Sequence, residues 1–215
     1  MKVTIIGAGA MARGIGSRLI AGDHKVTLHA RNIEKAGLLA AELQERSVHN
    51  RAIEVRLVGA PVEDSVVVLA VPYDAVREVI EDEYGDKLAG KILIDPTNPI
   101  DFEMMELVTP PGRSGAEEIV ELLPFEASVV KAFNTTLAGT LIEGKVDGKP
   151  LDVFIAGNDA RAKVVVTELV TDGDMRPFDV GPLSRAHALE AFQLVHIKLQ
   201  DQLKATWMSA IKILP

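Results

Sequence analysis

The chain has 215 residues, with 23 Lys and Arg against 31 Asp and Glu, a formal charge of −8, and no cysteine. That balance opposes binding to nucleic acid or to an anionic membrane surface, and the absent thiols exclude a disulfide framework, a thiolate nucleophile and a cysteine-ligated metal. With 47% hydrophobic and 25% charged residues, the expectation is a folded cytoplasmic globule without signal peptide, membrane span or metal site.

The first stretch, V-T-I-I-G-A-G-A-M-A from Val3 to Ala12, is a β-branched run entering close-set glycines and then a helix-compatible pattern. This reads as the strand, tight turn and helix of a dinucleotide-binding unit. Gly7 makes the turn, Gly9 lets backbone approach a pyrophosphate, and Ala12 fills the small position where helix meets strand. The ligand's charge would sit over the free amides of the helix start. Gly22-Asp23-His24 ends that helix, and Lys25–His29 forms the second strand. An NAD site usually carries an acid at this strand's tip, whereas here the chain reads Ala30-Arg31-Asn32-Ile33-Glu34-Lys35. A guanidinium and, a turn later, an ammonium favour the 2′-phosphate of NADP(H).

A second helix is expected over 32–47 and a third strand over 55–58. The run V-V-V-L-A-V at 66–71 reads as a strand buried on both faces. It ends at Pro72, so Val71, Pro72 and Tyr73 should line the crevice beyond the strand ends, followed by a helix from Asp74 to Glu83. Lys91–Asp95 is the next strand. Thr97 and Asn98, held between Pro96 and Pro99, are candidate partners for the nicotinamide end, although a plain turn explains an Asn-Pro step nearly as well. Residues 101–113 read as irregular with at most one helical turn. Ser114 and Glu117 open a helix, and Ser128–Phe133 reads as the last strand of the main sheet.

The fold class expected is therefore α/β, a Rossmann-type doubly wound parallel sheet over residues 1–136. Residues 137–215 are read as a small C-terminal α/β lobe with strands at 152–156 and 176–180. A long helix from Ser184 to about Ile213 closes the chain. Its apolar residues recur three or four apart, with extra apolar surface beside the stripe, which predicts a homodimer contact.

Taken together, the G-A-G-A-M-A turn, the A-R-N-I-E-K-A segment, the V-P-Y step, the S-G-A-E-E-I-V-E helix and the late R-P-F-D-V-G-P-L-S run resemble the family of NADP oxidoreductases dependent on the deazaflavin coenzyme F-420. Their NADP-binding fold is of the pyrroline-5-carboxylate reductase type. The resemblance implies NADP(H) across the strand ends and coenzyme F-420 in the cleft beside it. By matching motifs, Ala8, Gly9, Ala10 and Met11 would touch the pyrophosphate. Ala30, Arg31, Asn32 and Lys35 would lie on the 2′-phosphate side. Val71, Pro72, Tyr73, Thr97, Asn98, Phe133 and Asn134 would line the nicotinamide half. The segments D-P-T-N-P and K-A-F-N-T depart from the better-known members near the second substrate, a pattern shared with the cytosolic reductase domains of membrane metalloreductases.

Hydride exchange with a flavin-like ring needs two carbons held close and dry, not a dedicated acid or base. No catalytic residue is therefore assigned, and the five histidines read as structural or solvated. Two rival functions stand beside this one. A reductase of a small keto or imino acid would use a Lys and Asn one helical turn apart at the domain junction. Here Lys198 is followed at that spacing by Gln202, and Lys131 precedes Asn134 by three positions at a strand end, where alternation need not aim both at one substrate. Reduction of a metal chelate is a further alternative. A non-catalytic NADPH sensor would need only the nucleotide site.

Overall fold

The computed structural model describes residues 1–47, 49, 52–124, 126–204 and 206–214. β1 (Lys2–Ile6) runs through the centre of the protein, its last four residues buried. It turns at Gly7 into α1 (Ala10–Ala21) and returns as β2 (Lys25–Ala30). α2 (Ile33–Arg46) starts at Asn32, whose Oδ1 accepts from the Lys35 amide at 2.8 Å. Its buried Ala36, Leu39, Ala40 and Leu43 recur at helical spacing, so one face covers the sheet while the other meets water. β3 (Glu54–Leu57) forms the edge, and the all-buried β4 (Val66–Leu69) lies on the other side of β1.

The helix expected after Pro72 forms as an irregular segment over 73–84: a 3-10 turn at Tyr73–Ala75, α3 (Val76–Glu78) and a wider π turn at Val79–Tyr84. Val76, Val79, Ile80 and Tyr84 are buried, and the Tyr84 hydroxyl meets His29 Nδ1 at 2.9 Å. β5 (Ile92–Asp95) follows. The stretch read as irregular contains a small hairpin, β6 (Ile100–Asp101) and β7 (Glu106–Leu107). α4 (Gly115–Leu122) carries the reciprocal cap that its sequence promises, the Ser114 Oγ accepting from the Glu117 amide while the Glu117 carboxylate accepts from the Ser114 amide. β8 (Ser128–Lys131), the six-residue α5 (Ala138–Glu143) and the hairpin β9 (Lys145–Val146)–β10 (Lys149–Pro150) lead into the last third.

There the residues read as a small C-terminal lobe extend the same sheet. β11 (Asp152–Gly157) pairs antiparallel with β8, and β12 (Arg176–Gly181) pairs parallel with β11. The result is one eight-stranded sheet of order β12-β11-β8-β5-β4-β1-β2-β3, so β8 is not its last strand. Every residue of β11 is buried; such a run needs cover on both faces, and the open edge of β8 provides its place in the sheet. α6 (Ala160–Asp172) joins α1 and α2 on one face over Val3, Ile5, Leu28 and Val68. The segment at 73–88 and α4 cover Ile6, Val67, Leu69 and Leu93 on the other.

The single long terminal helix is also corrected. α7 (Ala186–Lys198) and α8 (Gln200–Leu203) stop at Lys204, whose φ is +50°. The chain then folds back, with Ser209 Oγ 2.8 Å from His196 Nε2 and the Ile213 amide donating to buried Asp152. Among the described residues no helix is long and apolar enough to cross a membrane, and no cluster of His, Asp or Glu is placed to hold a metal ion.

Candidate active site

Strand order reverses between β1 and β4, and the ends of these two strands open the crevice. Gly7 sits at φ +121°, and a Cβ there would lie 2.1 Å from the Ala70 carbonyl oxygen, so the turn tolerates no side chain. Gly9 caps α1 without any side-chain hydrogen bond, and the first turn of the helix holds no acid. A Cβ on Gly9 would meet nothing within 4 Å. Open space over unsatisfied helix amides is what a pyrophosphate requires.

Two cavities meet at this point, sharing Gly9, Ala70, Val71 and Pro72. The smaller, about 340 Å³, is lined by Ala8, Ala30, Arg31, Asn32 and Lys35, together with Val58, Ala75 and Val79. The two cations expected beside a 2′-phosphate, Arg31 and Lys35, stand on its wall. Arg31 is already engaged: its Nη2 lies 2.7 Å from Glu78 Oε1 and 3.6 Å from Glu83 Oε1. The hydrogen bond to Glu78 holds the guanidinium pKa above its ordinary value.

The larger cavity, about 680 Å³, brings together Ala10, Met11, Tyr73, Thr97, Asn98 and Asn134. The Asp95 carboxylate fixes the loop after β5, its Oδ1 accepting from the Thr97 amide at 2.8 Å and the Thr97 hydroxyl at 2.7 Å. Asn98 Nδ2 donates to the Asn134 carbonyl at 2.9 Å, and Asn134 Nδ2 donates to Asn98 Oδ1 at 3.0 Å. Asn134 Oδ1 remains buried without a protein partner, an acceptor suited to the carboxamide donors of a nicotinamide. Open amides at Gly9, cations beside the smaller cavity and this acceptor in the larger one together fit NADP(H).

Tyr73 donates its hydroxyl to the Glu118 carboxylate in a short contact; burial and that carboxylate push its pKa above the usual range for a phenol. Phe133 is a correction. It lines neither cavity and belongs to the core at 2% exposure, with φ +66°. Its carbonyl accepts from the Thr136 amide at 3.1 Å and the Thr136 hydroxyl at 2.6 Å, so its contribution is the bend that presents Asn134.

Sequence reasoning missed three walls of the larger cavity: Ile100, Phe102 and Val108 from the hairpin, Thr136, Leu137 and Ala138 entering α5, and Gln193 and Ile197 from α7. It also missed a buried ionic network beneath the loop. Lys131 Nζ donates to Asp95 Oδ2 at 2.9 Å, the Thr97 carbonyl at 2.7 Å and Glu190 Oε1 at 2.6 Å. Burial alone would lower the Lys131 pKa, and the two carboxylates more than reverse it; burial pushes Glu190 up. With all three ammonium donors used and no place in either cavity lining, Lys131 does not meet the demand of a keto- or imino-acid reductase for a cleft lysine.

Comparison with known proteins agrees with this geometry. The family described as NADP oxidoreductase, coenzyme F-420-dependent, matches residues 2–99. The F-420-dependent NADP reductase of Methanocaldococcus jannaschii is 31% identical, over 95% of this chain and 95% of that protein. The chain belongs to the F-420-dependent NADP oxidoreductase family. Among solved structures, one provisionally assigned as an F-420-dependent NADP reductase from Arthrobacter sp. FB24 superposes with a TM-score of 0.82 at 30% identity over the whole of both chains. The rat metalloreductase STEAP3 is 32% identical over 90% of this chain, which spans only 36% of that protein's length.

Proposed function

We propose that this chain transfers hydride between NADP(H) and a deazaflavin of the coenzyme F-420 type. The observation that carries the reading is that the two cavities share Gly9, Ala70, Val71 and Pro72: one holds cations, and the other is lined mostly by apolar and neutral polar residues. Bound NADPH supplies the hydride from its nicotinamide ring. The open amides of α1 and the side chains of Arg31 and Lys35 hold the phosphates, while Asn98 and Asn134 orient the ring end. Met11, Pro96, Ile100, Val108 and Leu137 exclude water from the space beside it, and Gln193 and Tyr73 supply neutral polar atoms. Asp74 is the only charged residue lining this cavity among the described residues. Such walls suit an uncharged heterocycle stacked against the nicotinamide, and hydride transfer needs only that alignment.

The likeness to a metalloreductase supports a second reading, in which electrons pass to a flavin or ferric chelate. Stopped-flow mixing of the NADPH-loaded protein with a deazaflavin, a free flavin, a ferric chelate and small keto acids separates these functions. The deazaflavin is expected to oxidise NADPH fastest. A faster ferric chelate or flavin moves the protein to the second reading, and no oxidation by any acceptor leaves a nucleotide sensor.

The outward face of α7 and α8 exposes Phe192, Val195, Leu199 and Leu203. Because Gln193 and Ile197 of the same helix line the cavity, a second copy on this face would also close the cleft, and the homodimer is proposed on that ground. Sedimentation velocity is expected to give twice the chain mass; a monomer at every concentration excludes it.

A further inference from the structure

The guanidinium on the smaller cavity is not free, and this has a consequence for nucleotide choice that rests on the NADP(H) site proposed above. Of the residues lining that cavity, Arg31 and Lys35 carry its positive charge. Two carboxylates from the segment that also supplies the lining residues Ala75 and Val79, Glu78 at the end of α3 and Glu83 in the π turn, approach one nitrogen of Arg31 at 2.7 and 3.6 Å. Two negative charges on one guanidinium cancel much of the field that a 2′-phosphate dianion would meet.

We infer that Glu78 is a specificity-determining residue: as a counter-ion competing for Arg31, it limits the affinity of the site for NADP(H) and hence its preference over NAD(H). The pair is half-exposed, 52% and 51% for its two side chains, so parting it costs little and binding is not blocked. Parting is not obligatory either, because a guanidinium has five donors and can turn a second edge to a phosphate while Nη2 stays with Glu78. In both cases a carboxylate is left beside a dianion. A nucleotide bearing only the neutral 2′-hydroxyl meets no such repulsion, so Glu78 weakens one ligand and leaves the other untouched. The chain therefore sets its acid against the Arg31 guanidinium past the strand tip, where it tempers the cation instead of binding the ribose outright.

Titration calorimetry of the full chain with NADPH and with NADH tests this in Glu78→Gln, Arg31→Ala and the double variant. Glu78→Gln is expected to tighten NADPH about fivefold, a gain of the size an exposed ion pair commands, and to change NADH less than about twofold. The gain should shrink as salt is raised and vanish in the double variant, because it acts through Arg31. Unchanged or weaker NADPH binding in Glu78→Gln overturns the inference, as does an equal gain for NADH. Arg31→Ala alone is expected to weaken NADPH about tenfold or more, the loss of a charge-assisted contact. If it leaves NADPH unaffected, the 2′-phosphate site itself is misplaced, an outcome distinct from failure of the Glu78 role.

Discussion

Lys131→Met is expected to cost about 3–5 kcal/mol of unfolding free energy, read as a lower urea midpoint at neutral pH. Charge, more than volume, is the cause. Lys131, Asp95 and Glu190 are all fully buried, and without the ammonium two carboxylates share a dry site. Glu190→Gln tests the same network from the other side. It leaves the Lys131–Asp95 pair intact but removes the charge facing Lys131, and its single amide oxygen can accept from only one of the two donors, Lys131 Nζ and the Gly115 amide, so about 1.5–3 kcal/mol is expected. The pH dependence has a definite sign. In Lys131→Met the burial that already raises the Glu190 pKa acts without the opposing pull of the ammonium, so protonation of Glu190 favours the folded state. The deficit against the parent should therefore narrow as pH falls from about 7 towards 4.5 and widen as it rises. Equal losses for the two variants at every pH would show that packing, not charge, sets the effect.

Gly9→Val is expected to weaken NADPH binding by at least about 100-fold, or about 2.7 kcal/mol, while thermal unfolding stays within a few degrees of the parent. The backbone at Gly9 has φ −93°, which any residue adopts, and nothing surrounds its missing Cβ. The branched side chain would fill only the space kept for the pyrophosphate. Gly7→Ala should do the reverse and damage the fold first, because its Cβ would collide with Ala70 and its φ is positive. Calorimetry paired with thermal melts distinguishes them; full NADPH affinity in Gly9→Val would show that this turn is not the phosphate cradle.

The proposed nucleotide half of the site could be read from the chain because its requirements are local. A glycine at a forced φ, an uncapped helix start and a cation past a strand tip all lie within about one βαβ unit of sequence. The other half is assembled from distance. Adjacent strands ending in opposite charges, I-L-I-D and S-V-V-K, gave a sign of the Asp95–Lys131 contact, since the two residues stand opposite each other in the register. Nothing near Glu190 marked it as the third member. Phe133 was misassigned because a strand-end position does not reveal that the following backbone turns left-handed. The terminal helix was overextended because apolar spacing persists past Leu199 even where the chain doubles back, with Ile213 anchored on Asp152.

The antiparallel seam between β8 and β11 has a consequence for how the protein is made. The residues proposed to hold the nucleotide's phosphates all lie ahead of β8 in the chain, so that half can emerge from the ribosome and collapse first. Until residues 152–157 follow, β8 is a bare, sticky margin, and translation leaves it so for roughly a few seconds. A nascent chain stalled in that window is the form most prone to aggregate, which makes the timing of β11, more than the final stability, the vulnerable step in its biogenesis.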